Sequence, residues 1–297
     1  MSIKVSIDGD ILELKEAGIP VTDRGFLYGD SIYEVVRTYG GRPFLLDEHL
    51  VRLARSANQL FIELPGGLEP IAADVEATLR AAGNPESYVR IIVTRGSGPI
   101  ALDPMTAEGP RRVVIVTPLV PYPQKLYDEG AFVCLVATGR GDSGLLVGAK
   151  SGNYLLNVLA LGEARRHGAH EAILLDHRGR VTEGATSNVF MVKDGALHTP
   201  PLSAGILEGI TRRQLFGLAR EAGLGVIERE MEPGDLRGGE ELFLTSSIRE
   251  VLPITEAMDA QGERFVVGSG LPGPVTLLLR QKYLQAAGVE REPVRAD

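Results

Sequence analysis

The sequence predicts a mixed α/β (α+β) protein of two unequal lobes, and three observations carry that reading. A chain of 297 residues corresponds to about two domains of ~150 residues each. Short β-branched runs alternate with stretches of helical periodicity along its whole length. The segment from Pro118 to Gly130, PLVPYPQKLYDEG, holds three prolines and no clean periodicity, the signature of a connector. The expected organisation is a small N-terminal domain over 1–117, a linker over 118–130 and a larger C-terminal domain over 131–297.

Each element follows from local pattern. IKVSIDGDI reads as a hairpin turning at Asp8-Gly9. DEHLVRLARSANQLFI reads as a helix with Leu50, Leu53, Ala54, Ala57, Leu60 and Phe61 on one face, and Asp47 can cap it. A second helix, from about Pro70 to Ala82, should end at Gly83, where a left-handed cap carries no Cβ penalty. YVRIIVTR and RVVIVTP are β-branched runs of strand length. Beyond the linker, AFVCLVAT is a strand and a glycine-rich loop follows it. A helix should then run from about Gly152 to His167 and stop at Gly168. EAILLD, SNVFMVKDG and ELFLTS read as strands. GITRRQLFGLAREAG is a helix between Gly209 and Gly223, and PGPVTLLLRQKYLQAAG is the last one. No internal repeat or low-complexity tract is present.

Composition narrows the function. The 31 basic and 39 acidic side chains give a net charge of −8, which repels nucleic-acid backbones and anionic lipid while leaving room for small anions. The lone Cys134 can form neither an internal disulfide nor a thiolate metal cluster. The N-terminal MSIKVSIDGDILELKE lacks the apolar core of a signal peptide, and the most apolar stretch, Ser143 to Gly162, is interrupted by Lys150. A cytoplasmic setting with no membrane or nucleic-acid partner is expected. The five histidines are scattered, with His167 and His170 read as surface residues, so no metal is expected. No G-x-S-x-G, Walker-type loop or dinucleotide fingerprint occurs.

Four features could carry chemistry. Lys150 is the only charge between Asp142 and Glu163. Desolvation favours a neutral lysine amine, the nucleophile of Schiff-base chemistry, although spacing alone favours an ammonium that snorkels to water. EGATSN places Glu183 at a strand end before small residues, suited to pairing one cation, or simply a hairpin connection. AGILEGITRRQ sets Gly209 before a helix with Thr211 in its first turn, either an anion site or an ordinary helix start. Thr245-Ser246-Ser247 ends a strand with hydroxyls, as a polar turn also would. Arg52 lies opposite the apolar face of its helix, and periodicity makes it a solvated arginine.

Six motifs in register resemble those of the class IV aminotransferases, the PLP enzymes of fold type IV. They run from DRGFLYGDSIYEVVRTYGG through HLVRLARSA, AKSGNYLLNVLALGEA and VTEGATSNVF with LEGITRRQ to FLTSSIREVLPI. The family includes branched-chain amino-acid, D-amino-acid and (R)-amine transaminases and aminodeoxychorismate lyases. The resemblance implies a small N-terminal α/β domain, a larger C-terminal pseudo-barrel domain, pyridoxal 5'-phosphate as cofactor, and a homodimer or larger assembly. It implies that Lys150 holds PLP through its amine and moves the substrate proton, and that Tyr154 bonds the cofactor's phenolate oxygen. Glu183 would stand beside the pyridine nitrogen, since a protonated ring is a better electron sink. Arg52, Gly209, Ile210, Thr211, Ser246 and Ser247 would hold the phosphate, with Leu207 against the ring. For Arg52 this overturns the surface reading, because an arginine fork suits a dianion.

For the substrate, Tyr88-Val-Arg90 resembles the Tyr-x-Arg of branched-chain transaminases, where the arginine meets the distal carboxylate of glutamate. Pro99, Ile100 and Ala101 stand where common D-amino-acid transaminases carry an Arg-x-His pair. Tyr33-Glu34-Val35-Val36 points the other way, toward D-amino-acid enzymes, and Val35 narrows one pocket. The resemblance thus implies ping-pong transamination between branched-chain L-amino acids and a 2-oxo acid such as 2-oxoglutarate. D-amino-acid or (R)-amine transamination is the alternative, and aminodeoxychorismate lyase a second. The implied substrate pocket comprises Tyr28, Tyr33, Arg37, Tyr88, Arg90 and the backbone around Ser247-Ile248.

Overall fold

The computed structural model describes residues 2–140, 144 and 146–289. The chain divides into two compact units, Met1–Pro121 with Ala149–Tyr154, and Tyr122–Gly148 with Leu155–Asp297. The division falls at Pro121, inside the connector expected over 118–130. The segment Ala149–Tyr154 belongs with the first unit instead of the second, a non-local assignment that chain order does not reveal.

The first unit is an antiparallel sheet covered by helices. Strands β1 (Lys4–Ile7) and β2 (Asp10–Glu13) form the expected hairpin, with Asp8 and Gly9 both at positive φ. Helix α1 (Arg24–Tyr28) is capped by Asp23, which accepts from the Gly25 N–H. Then come β3 (Ser31–Tyr39), β4 (Arg42–Pro43), helices α2 (Leu46–Gln59) and α3 (Glu69–Ala82), and strands β5 (Ser87–Thr94) and β6 (Arg111–Pro118). The sheet order is β2-β1-β6-β5-β3-β4. Ile32 and Val36 of β3, Val89, Ile91 and Val93 of β5, and Leu50, Leu53, Ile71 and Val75 of α2 and α3 share one buried cluster. Each such side chain stabilises the unit by about 1.5–3 kcal/mol. Gly83 takes the left-handed cap expected of it (φ 60°). Asp47 does not cap α2: Leu45 occupies the N-cap, and Asp47 sits with Glu48 in the first turn, where it meets the positive end of the helix dipole.

The second unit begins with α4 (Lys125–Asp128) and β7 (Ala131–Arg140). Of the glycine-rich loop expected next, residues 141–143 and 145 lie outside the described residues. Helix α5 (Leu155–Arg166) starts three residues later than periodicity suggests. The reason is that the preceding backbone is engaged elsewhere: Gly152 N–H donates to the Ser31 carbonyl at 2.7 Å and Tyr33 N–H to the Lys150 carbonyl at 2.9 Å. Gly152 must lack a side chain there, since a Cβ would lie 2.3 Å from Ser31 Oγ and 3.0 Å from the Gly29 carbonyl oxygen.

Strands β8 (Glu171–Asp176), β9 (Val181–Gly184), β10 (Asn188–Lys193) and β11 (Ala196–Thr199) lead to α6 (Ile210–Glu221). After β12 (Gly225–Glu228) and α7 (Pro233–Arg237) come β13 (Glu241–Ser246), β14 (Glu250–Met258), β15 (Arg264–Val266) and α8 (Pro274–Ala286). The nine strands run β12-β11-β10-β13-β14-β7-β8-β9, with β15 on β14. β9 also lies against β10, so the sheet curls back on itself. Alternation along β7 divides two cores: Val133 and Leu135 join Ile173, Met191 and Leu244 inside the curl, while Cys134 packs with Ala160 and Ala164 of α5. Among the described residues no helix is long and apolar enough to cross a membrane.

Candidate active site

Strand β3 organises the functional side chains of the first unit by sending successive residues to opposite faces. Tyr33, Val35 and Arg37 stand on one face. Their register partners on β5 are Ile92, Arg90 and Tyr88, and directly opposed residues share a face. Four of the substrate-pocket candidates, Tyr33, Arg37, Tyr88 and Arg90, therefore form one surface together with Val35. Arg90 lies over the Tyr33 ring at 4.2 Å, and Arg37 over Tyr39 at 4.1 Å. Tyr28 is set apart on α1, beneath the Arg24 guanidinium at 5.0 Å.

Lys150 reaches the same face. It is half-buried, its Nζ donates to Tyr33 Oη at 3.3 Å and lies 4.4 Å from the Tyr33 ring centre and 5.7 Å from that of Tyr154. The two phenol rings meet edge to face at 5.5 Å. Its backbone N–H donates to Ser56 Oγ at 3.1 Å, so the lysine is held at both ends. The amine is directed to phenols, and the snorkelling alternative does not describe it. Burial, then the adjoining Tyr154, pushes the Tyr33 hydroxyl well above the ordinary tyrosine range, so it stays protonated.

The opposite face of β3 holds a group that sequence reasoning missed. Glu34 is fully enclosed, and its carboxylate accepts from Arg52 Nε at 2.8 Å and Arg52 Nη2 at 2.7 Å, with His49 Nδ1 at 2.7 Å. Burial would raise the Glu34 pKa, but the Arg52 charge and hydrogen bonds, then His49, outweigh it and hold the pKa at about 2. Burial in turn lowers the His49 pKa. Arg52 is 5% exposed, which corrects the solvated reading that periodicity suggested. The missed signal was available: period two puts Glu34 between Ile32 and Val36 on an apolar face, where a carboxylate needs a cation.

In the second unit, β9 brings Glu183 to a buried position, where Oε2 accepts from the Leu207 N–H at 3.0 Å and from Asn188 Nδ2 at 3.4 Å. Asn188 Nδ2 also donates to the Leu207 carbonyl at 2.9 Å. Asn188 was not singled out beforehand, and only its fold context identifies it. Gly209 is the N-cap of α6 and offers no side chain to the first-turn N–H groups. A Cβ on it would lie 2.0 Å from Asn188 Oδ1. Ile210 and Thr211 are buried in that turn, with Thr211 Oγ1 3.4 Å from Tyr283 Oη. Ser246 ends β13, paired with Glu250, and Ser247 and Ile248 lie in the turn to β14; on β10, Asn188 stands opposite Thr245.

Each unit by itself carries groups whose chemistry suits a phosphorylated pyridine cofactor. A helix start with uncapped N–H groups, a hydroxyl in its first turn and a glycine with no room for a Cβ make a cradle for a small dianion. A buried carboxylate beside it suits a protonated ring nitrogen. A half-buried amine among phenols suits a covalent attachment point.

Comparison with known proteins identifies the family. The sequence model of the amino-transferase class IV family matches residues 31–257. The chain belongs to this family. A Methanocaldococcus jannaschii protein provisionally named a branched-chain-amino-acid aminotransferase is 38% identical over 282 residues, 95% of each chain. The D-alanine aminotransferase of Bacillus licheniformis is 33% identical over 274 residues, 92% of this aminotransferase and 93% of that one. The structure of a T.th. branched-chain amino acid aminotransferase, complexed with N-(5'-phosphopyridoxyl)-L-glutamate, superposes with a TM-score of 0.87 at 30% identity. The match covers 97% of this aminotransferase and 95% of that chain. The mixed α/β architecture of the aminotransferase is that of fold type IV.

Proposed function

We propose that this aminotransferase uses PLP to move an amino group from branched-chain L-amino acids to 2-oxoglutarate in two half-reactions. The observation that carries the acceptor assignment is the common face of Tyr33, Tyr88 and Arg90, with the Lys150 amine on Tyr33. An arginine stacked on a phenol beside the reacting amine suits a second carboxylate, which glutamate has and leucine lacks. A relative provisionally named a branched-chain-amino-acid aminotransferase and a structural neighbour of that name, complexed with N-(5'-phosphopyridoxyl)-L-glutamate, support the reading.

Lys150 would hold PLP, Tyr154 its phenolate oxygen, and Glu183 its ring nitrogen, with Leu207 against the ring. Arg52, Gly209, Ile210, Thr211, Ser246 and Ser247 would hold its phosphate. When bound, PLP supplies an electron sink for the carbanion left by loss of the Cα proton. Lys150 Nζ takes that proton and returns it. Tyr33, kept protonated by burial, orients the amine through its 3.3 Å hydrogen bond. Arg90 binds the distal carboxylate of the glutamate formed from the acceptor. Asn188 fixes the Glu183 carboxylate and the Leu207 carbonyl together. The active assembly would be a homodimer, as the family resemblance implies.

Arg90→Ala tests the assignment by steady-state kinetics. The KM for 2-oxoglutarate should rise by roughly tenfold to a hundredfold, the cost of a charge-assisted hydrogen bond, while the leucine half-reaction changes little. Unchanged 2-oxoglutarate kinetics would refute it. D-amino-acid transamination is favoured by the Val35 side chain directly opposite Arg90, which takes space from the donor's substituent, and by the 33% identity to a D-alanine aminotransferase. A chiral donor panel separates the two.

A further inference from the structure

Two segments of the second unit carry groups assigned to the cofactor, the loop after Glu183 and the turn from Ser246 to Glu250, and one buried side chain joins them. Arg249 Nη2 donates to Glu171 Oε2 at 2.5 Å and Arg249 Nη1 to Thr186 Oγ1 at 2.6 Å. Glu171 Oε1 accepts the Thr186 N–H at 2.7 Å, so the carboxylate and the guanidinium together grip the loop. Glu171 is fully enclosed and Arg249 is 4% exposed. Burial opposes the charge on Arg249, yet the Glu171 carboxylate and then Tyr122 more than offset it, and the guanidinium stays charged.

The turn is fixed from its other side as well. The Arg249 N–H donates to Ser246 Oγ at 3.1 Å, orienting one of the hydroxyls assigned to the phosphate. Glu250 is left-handed (φ 60°), a conformation strained for a glutamate. Its buried carboxylate pairs with Arg280 of α8 at 3.4 Å. A strained residue flanked by buried charge pairs is what a precisely set turn requires, since strain persists only where the surroundings over-determine the backbone.

We propose that Arg249 is a positioning residue, whose fork across Glu171 and Thr186 fixes the Ser246-Ser247 turn against the loop that follows Glu183. The proposal rests on the reading of Ser246 and Ser247 as phosphate-holding and of Glu183 as ring-holding. A planar fork can satisfy two acceptors held apart by rigid backbone. An ammonium, a compact point charge, cannot reproduce that geometry.

The test titrates the full-length apoprotein with PLP and, separately, with pyridoxal, which lacks the phosphate. It compares wild type, Arg249→Lys, Thr186→Val and Thr186→Ser, each checked for folding by circular dichroism. Arg249→Lys and Thr186→Val should weaken PLP binding about tenfold or more, the loss expected for one charge-assisted hydrogen bond, and pyridoxal binding much less. Thr186→Ser keeps the hydroxyl and should bind PLP like wild type. Where Arg249→Lys does not fold, the Thr186 pair gives the answer, because it leaves the ion pair in place. Folded variants that bind PLP within twofold of wild type would overturn the proposal, as would equal losses for PLP and pyridoxal. If wild type itself binds PLP no better than pyridoxal, the phosphate reading of the turn fails first and the proposal with it.

Discussion

Glu34→Gln is the most informative single change in the first unit. The carboxylate has a pKa of about 2 against an ordinary 4.5, a difference that corresponds to roughly 3 kcal/mol of stability near pH 7. A glutamine keeps the shape and removes the charge, leaving the buried Arg52 guanidinium without its counter-ion. Removing one partner of a buried pair costs ~3–5 kcal/mol, so the two routes agree on a loss of about 3 kcal/mol. The sign of the pH dependence follows from the depressed folded pKa. The contribution is complete above about pH 4.5 and is lost as pH falls through about 2, with roughly half remaining near pH 3. His49, whose pKa is lowered by burial but raised by the Glu34 carboxylate, titrates differently in the two proteins, so both are compared in a His49→Gln background. Urea unfolding followed by far-UV circular dichroism, at neutral pH and near pH 3, measures it. A gap below about 0.5 kcal/mol at neutral pH, or one that does not narrow in acid, would refute the charge account.

Two glycines extend the test to the close approaches. Gly209→Ala brings a Cβ within 2.0 Å of Asn188 Oδ1, and overpacking of this kind costs ~1–3 kcal/mol. The displaced Asn188 also releases Glu183 and Leu207, so PLP affinity should fall together with the melting temperature. Gly152→Ala would crowd Ser31 and the Gly29 carbonyl. It should loosen the segment carrying Lys150, and faster proteolysis near that segment would reveal it.

How far the sequence was legible depended on whether a feature was local. The strands β5 and β6, the Gly83 cap and the helix after Gly209 rest on spacing within one segment, and their patterns are unambiguous. Helix α5 starts later than its pattern because Gly152 is tied to Ser31, a partner 121 positions earlier. Arg52 misled the periodicity argument, which registers only where apolar residues fall and not that a strand on another element presents Glu34. Asp47 is the right residue type for a cap but falls within the first turn, since Leu45 takes the left-handed start. The roles of Lys150, Tyr154 and Glu183 came from motif resemblance, because composition and spacing left each with a plain alternative. Arg249 had no local signal at all: its partners, Glu171 and Thr186, lie on a different strand and loop.

The most direct test of the central claim is the visible absorption of the purified protein with PLP, before and after L-leucine, with D-alanine and the Lys150→Ala variant in parallel. The account predicts an absorption band that Lys150→Ala abolishes and that L-leucine bleaches while D-alanine leaves it intact. Bleaching by D-alanine alone would contradict the branched-chain assignment, and a band that no donor changes would contradict transamination by this site.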